Sequence, residues 1–311
     1  MKSSLVVLSG ALALVVTVAC SGSGSSVAGG ATSDGTPTSG DGAASDPTDP
    51  SSGDGAAPPA DSGAPPAPVP TAGCGSANVA KGMQQRTTTV LGVSRHYQLL
   101  VPASYDANLP TRLVFVFHGL GGDGNQIRAY FGFEAEAKGQ ALFVYPDGVA
   151  QAVAGGGSGW AESDLSFFDA MVSEISASHC VDAKRVFAAG HSFGGYMSNL
   201  VGCERGDVVR AIAPVSGGLV AAGACKGAVA AWVAHGDKDG TVAQSEGVSA
   251  RDHWLTANGC SSTSKVTTPS PCVAYDGCTP DHPVTWCSFA GGHYPLPAFT
   301  QKAIWDFFAA L

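Results

Sequence analysis

The chain has 311 residues, with 25 acidic against 16 basic side chains, a net charge of −9 and a 44% hydrophobic content. It has no basic patch or run of Lys and Arg, which excludes the usual electrostatic footprint of a nucleic-acid-binding protein. The acidity is local, because six Asp residues fall within residues 21–73.

Residues 1–20 place Lys2 ahead of a mostly apolar run from Leu5 to Val18. The run is too short to span a bilayer and reads as a secretory signal peptide. It ends in Ala19-Cys20-Ser21-Gly22, which predicts lipoprotein processing with Cys20 lipidated, although Thr17 stands where a branched aliphatic residue is usual. Membrane contact is expected only through this anchor, on a bacterial cell-envelope lipoprotein or an extracellular protein. Residues 21–73 are mainly Ser, Gly, Ala, Pro, Thr and Asp, without Lys, Arg or aromatic residues. Such a segment buries too little apolar area to offset its chain entropy and is expected to be a disordered linker.

From Cys74 to Leu311 the composition is that of one folded domain, large enough to bury its own core, and a monomer is the default expectation. Strands are predicted at Thr87–Val93 and Arg95–Val101, as a hairpin joined near Gly92. Further strands follow at Arg112–Phe117, Ala141–Tyr145, Arg185–Ala189, Ala211–Val215, Val229–Ala234 and Pro283–Phe289. Several are continuous apolar runs, as strands covered on both faces require. Helices are predicted near 125–138, 164–178, 195–204, 245–257 and 300–310. Strand alternating with helix gives an α/β fold, a mostly parallel central sheet with helices on both faces. No sizeable apolar insertion suggests a lid. Nine cysteines leave eight once Cys20 is set aside, an even number that fits a disulfide framework in an exported chain. No CxxC occurs, and no metal site is expected.

Gly190-His191-Ser192-Phe193-Gly194 matches the G-x-S-x-G nucleophile elbow. In a chain with 42 glycines the pattern alone is weak, so context decides. The apolar strand runs straight into it and a helical stretch follows, which would expose Ser192 at a helix N-terminus. A serine hydroxyl needs a base to take its proton, and base and acid should follow on loops after later strands. Of His235, His253, His282 and His293, only His293 follows the final strand. The loop His235-Gly236-Asp237-Lys238-Asp239 offers two carboxylates. Asp239 is further out on the loop, while Asp237 could pair with Lys238 or cap the turn. The oxyanion hole requires two backbone N–H donors. Phe193 supplies one, and His118-Gly119-Leu120-Gly121-Gly122, directly after an early strand, supplies the other at Leu120.

The domain resembles the feruloyl esterases of the polyhydroxybutyrate depolymerase-like esterase group, related to carbohydrate esterase family one, within the α/β-hydrolases. The resemblance rests on His118-Gly119 with its glycines, Pro146-Asp147-Gly148, Gly159-Trp160, Cys180-Val181-Asp182 and Gly190–Gly195. It continues through Ala213–Gly217, His235-Gly236-x-x-Asp239, Asn258-Gly259-Cys260 and Gly291-Gly292-His293. It implies a serine esterase without cofactor, acting on phenolic esters of plant cell-wall polysaccharide, with Asp239 as the acid. Acetylxylan esterase and polyhydroxyalkanoate depolymerase are alternatives on the same scaffold. A non-catalytic surface binding lipoprotein is a third, disfavoured by the intact Ser192, Asp239 and His293. The resemblance implies the disulfides Cys203–Cys225 and Cys260–Cys278, which leaves Cys74–Cys180 and Cys272–Cys287. The last pair departs from the family's general pattern. Trp160, Phe193 and Tyr294 are candidate walls of an acyl pocket, since aromatic faces pack on a phenolic ring, and His118 joins the candidate substrate contacts. Trp160 reads equally well as a core residue. Trp232, Trp254, Trp286 and Trp305, inside predicted elements, are expected in the core.

Overall fold

A computed structural model describes residues 67–150, 157–220 and 225–311. The expected signal peptide, Cys20 and most of the linker lie outside these residues. The linker's expected end at 73 moves earlier, because backbone hydrogen bonds already tie this stretch to the domain. Val69 N–H donates to Asp182 Oδ1 at 2.9 Å, and Thr71 N–H to the Val181 carbonyl at 3.0 Å.

β1 (Gly82–Val90) and β2 (Val93–Val101) form an antiparallel hairpin that closes at Val90 opposite Val93. The turn residues Leu91 and Gly92 both have positive φ, the geometry that matches a two-residue turn to the strands' twist. The hairpin was expected five residues shorter at its start, with Val93 in the first strand. β1 escapes the apolar pattern because it is an edge strand carrying Gln84, Gln85, Arg86 and Thr87, none of them buried.

Next come β3 (Thr111–Phe117), α1 (Gly124–Phe131), α2 (Phe133–Ala137), β4 (Ala141–Pro146), the two-residue β5 (Val149–Ala150) and β6 (Ser158–Gly159), and α3 (Leu165–Ser178). β7 (Val181–His191), α4 (Phe193–Glu204), β8 (Val209–Val215), β9 (Ala230–Gly236) and α5 (Gln244–Ala257) follow. The chain closes with β10 (Ser264–Val266), β11 (Cys272–Tyr275), β12 (Val284–Phe289) and α6 (Thr300–Ala309). One helix was expected over 125–138. The structure breaks it at Gly132, whose φ of 60° ends α1 with the Gly132 N–H on the Arg128 carbonyl.

The main sheet has the order β1-β2-β4-β3-β7-β8-β9-β12-β11-β10. β4, β3, β7, β8, β9 and β12 run parallel, and the pairs at either side are antiparallel. One face packs Leu113, Phe115 and Val233 against Phe168 and Met171 of α3, Met197 of α4 and Trp254 of α5. The other packs Val114, Val116 and Trp232 against Ile127 of α1, Phe133 of α2, and Ile304 and Trp305 of α6. Trp232, Trp254, Trp286 and Trp305 are all buried, as expected. This is the α/β arrangement expected from the sequence.

The hairpin β10–β11 was not foreseen, because its residues are short, polar and interrupted by Pro269 and Pro271. It forms because β12 offers a free edge. Cys272 sits directly opposite Cys287 in that register, and the two are disulfide-bonded. The other disulfides among the described residues are Cys74–Cys180, Cys203–Cys225 and Cys260–Cys278. Replacing Cys272 and Cys287 together by Ala is expected to lower the unfolding free energy by about 3 kcal/mol, from the lost cross-link of a loop this length. Urea denaturation of oxidised protein reads the change. An unmoved midpoint would mean that β11 is held by strand pairing alone.

Candidate active site

The loops leaving the C-terminal ends of the neighbouring parallel strands β3, β7, β9 and β12 converge, as expected of ligand sites in α/β sheets. β7 delivers Ser192, which has φ 58° and ψ −122°, a backbone state that a non-glycine residue holds only when its surroundings force it. The surroundings do so by crowding. A Cβ on Gly190 would lie 2.2 Å from the Gly194 carbonyl oxygen, and one on Gly194 would lie 2.0 Å from that of Phe117. Only glycine permits this approach. Ser192 N–H donates to the Val215 carbonyl at 2.9 Å, tying the turn to β8.

Loop 118–122, leaving β3, crosses in front of the serine. A Cβ on Gly119 would be 3.4 Å from Ser192 Cβ. His118 fastens this loop. Gly148 N–H donates to His118 Nε2 at 2.8 Å, so Nε2 carries no hydrogen and Nδ1–H donates to the Gly119 carbonyl at 2.7 Å. Burial lowers the His118 pKa and keeps the ring neutral. Gly121 N–H donates to the Ser158 carbonyl at 2.7 Å, and Ser158 Oγ donates to Gly122. Among the described residues no acceptor takes the Leu120 N–H. Phe193 opens α4, where a helix leaves its N–H groups without intrahelical partners.

His118 lines a cavity as a substrate contact would, while Trp160 takes the core position that the sequence allowed equally. His118 spends both ring nitrogens on backbone. Trp160 is 5% exposed, and its indole N–H donates to the His118 carbonyl at 2.8 Å, so it underpins the loop. Tyr294 is 59% exposed and lines the same cavity, of about 280 Å³, together with His118, Leu120, Gln126, Ile127, Tyr130 and His191. Phe193, the other aromatic candidate for the pocket wall, is partly buried and is not among the residues lining this cavity.

β9 delivers the carboxylates and β12 the imidazole. His293 Nδ1 lies 2.7 Å from Asp239 Oδ2, and the Asp239 side chain is fully buried. Its Oδ1 accepts the Thr241 and Val242 N–H groups, both at 2.9 Å. Burial alone would raise the Asp239 pKa, but the hydrogen bonds from His293, Val242 and Thr241 outweigh it and hold the carboxyl below its usual range. His235 Nε2 lies 3.0 Å from the Val242 carbonyl and 3.4 Å from Asp239 Oδ2, so one N–H supports the acid's loop. Asp237 faces elsewhere, with Oδ1 accepting the Gly291 N–H at 3.0 Å. His253 lies against Cys225 Sγ and His282 on the Pro280 carbonyl, both away from Ser192.

Arg95 and Asp164 were not singled out in the sequence. They form a buried ion pair at 2.5 Å. Arg95 also donates to the Asp147 carbonyl at 3.2 Å, while Asp147 Oδ1 accepts the Gly124 N–H at 2.8 Å. The pair thus anchors the segments that hold loop 118–122 and the start of α1. No local signal marks it, since its members are 69 residues apart.

No family model matches the chain. Feruloyl esterase D of Neurospora crassa is 32% identical over 273 residues, covering 78% of this chain and 91% of that protein. The chain belongs to the feruloyl esterase family. Feruloyl esterase C of Emericella nidulans is also 32% identical, over 74% of this chain and 90% of its own. Among solved structures, an acetyl xylan esterase from Aspergillus awamori superposes with a TM-score of 0.60 at 14% identity, over 73% of this chain and 99% of that one. A mutant feruloyl esterase module from Clostridium thermocellum, complexed with sinapinate, gives 0.52 at 13% identity, over 78% and 92%. These two likenesses establish the fold, that of the α/β-hydrolase esterases. This feruloyl esterase family member is a carboxylic ester hydrolase.

Burial sets the esterase's acid sensitivity. It pushes the His191 pKa down to about 3, with the nearby His293 adding to the effect, and it also lowers His118 and His235. In the unfolded chain a histidine titrates near 6.5. Below that pH the unfolded state takes up protons that the native His191 refuses until about pH 3. Stability should therefore fall as pH drops from about 6.5, by up to about 1.4 kcal/mol per pH unit for each histidine held neutral. Asp239, held below its usual range, contributes stability that is lost only below about pH 4. Tm measured from pH 7 to pH 4 should decline throughout, and a flat profile would contradict neutral burial.

Proposed function

We propose that this esterase hydrolyses feruloyl and related hydroxycinnamoyl esters of plant polysaccharide through an acyl-Ser192 intermediate. The observation that carries the reading is the 2.7 Å contact between His293 Nδ1 and the buried Asp239, on loops adjoining the strained turn at Ser192. With Nδ1–H committed to Asp239, His293 Nε2 is left as the base. It takes the Ser192 proton as Oγ attacks the ester carbonyl. The oxyanion then settles on the N–H groups of Leu120 and Phe193, each worth about 3–4 kcal/mol to the transition state. Collapse expels the alcohol, which takes the proton back from His293, and a water activated by the same base releases the acid. Asp239 orients the imidazole and stabilises its charged form.

The cavity supports an acyl group of one ring. At about 280 Å³ it lies near the lower end of small-molecule pockets, and the rings of Tyr294, Tyr130 and His191 give it flat walls. The names of the curated relatives point to the same acyl class. Export through residues 1–19 with anchoring at Cys20 completes the reading. Four disulfides are consistent with an oxidising compartment outside the cytoplasm.

Purified protein should turn over methyl ferulate with a higher kcat/KM than p-nitrophenyl acetate or a short polyhydroxybutyrate ester. Ser192→Ala should remove about six orders of magnitude in kcat. Asp239→Asn should cost about 10⁴-fold, and Asp237→Asn far less. Preference for the small acetyl ester would move the acyl assignment, whereas an active Ser192→Ala would overturn the mechanism.

A further inference from the structure

The proton transfers give no task to His191, the residue between Gly190 and the nucleophile, beyond its ring bordering the cavity. Yet its ring is 1% exposed, and Nε2 lies 2.9 Å from the His293 carbonyl oxygen. A carbonyl only accepts, so Nε2 carries the hydrogen and the ring is the Nε2–H tautomer. Its neighbours are aromatic, with centroids 4.6 Å from the His293 ring, 4.7 Å from Tyr294 and 5.4 Å from Tyr130.

The segment that carries His293, between β12 and α6, has no regular structure and must be held from outside. Its start is tied at Gly291, through Asp237 Oδ1 and the Lys238 N–H. The His293 ring is tied by Asp239. Among the described residues, the only side chain bonded to the His293 backbone is His191.

We propose that His191 is a positioning residue that sets the distance between nucleophile and base through its hydrogen bond to the His293 carbonyl. His191 and Ser192 are consecutive at the end of β7, so a displacement of the nucleophile's turn carries the backbone of the base with it. Misplacement by about 1 Å can cost a hundredfold in rate. The inference rests on the reading of Ser192 and His293 as nucleophile and base.

The test compares two amides that differ by one methylene. In His191→Gln the side-chain nitrogen reaches the place of the imidazole Nε2, and in His191→Asn it falls short. With active sites counted by fluorophosphonate labelling, the Gln variant is expected to keep kcat within about threefold. The Asn variant should lose about tenfold or more in kcat for both methyl ferulate and p-nitrophenyl acetate, a loss separate from any change in KM that the altered pocket wall brings. Equal kcat in the two variants, or an effect confined to KM, overturns the proposal. In the unsubstituted protein, nitrogen NMR of the imidazoles should show His191 as the Nε2–H tautomer. An Nδ1–H tautomer would overturn the proposal even if neither variant folded. Ser192→Ala separates the two readings. If it is inactive while Gln and Asn behave alike, only the role of His191 falls, and if it stays active the mechanism itself is wrong.

Discussion

The C-terminal edge of the sheet depends on how closely the first turn of α4 approaches the end of β3. With 2.0 Å between a notional Gly194 Cβ and the Phe117 carbonyl oxygen, no side chain fits between the two backbones. That crowding sets loop 118–122 beside Ser192 and the start of α4, and it forces the serine's unusual dihedral angles. A methyl group there would separate the two N–H groups proposed to act on a single oxygen. The strain at Ser192 and the missing side chains around it are thus two sides of one arrangement, which on the proposed mechanism holds the nucleophile in place before any ester arrives.

Around this point the protein uses neutral histidines as fasteners. His118 joins loop 118–122 to Gly148, His235 joins the acid's loop to Val242, and His191 joins the elbow to the base. Each is buried and has a lowered pKa. At His118 a neutral imidazole uses one donor and one acceptor on a rigid ring to bridge two backbones, while His235 and His191 each fasten through Nε2. His293, the proposed base, is set apart by its carboxylate, since Asp239 can stabilise a charge that burial disfavours on the fasteners.

Much of this was legible in the sequence, for identifiable reasons. The central strands are apolar on both faces, so their runs stand out, and Ser192, Asp239 and His293 each follow a strand in the order the fold requires. Trp160 reads from sequence as a pocket wall, because aromatic faces pack on a phenolic ring, or equally as a core residue, and His118 as a further substrate contact. Only coordinates show that their polar atoms turn inward to the backbone. The Arg95–Asp164 pair joins residues remote in sequence and has no local signature. Gly132 splits a continuous helical pattern through one left-handed residue, and β10–β11 depends on a neighbour's edge and a covalent bond more than on its own composition. His191 occupies the variable position of a motif, so the pattern itself draws no attention to it.

Both outer strands bear on aggregation. A sheet of ten strands ends in two rows of backbone groups that could recruit another strand, and proteins that persist at high local concentration must deny that pairing. Here β10 is only three residues long and carries Lys265, which pairs with Asp276, while β1 is lined with Gln84, Gln85 and Arg86. Extending the sheet across either edge would strip water from these polar and charged side chains with no new partner for them. Neighbouring copies of the domain therefore find no ready template on which to start a fibril.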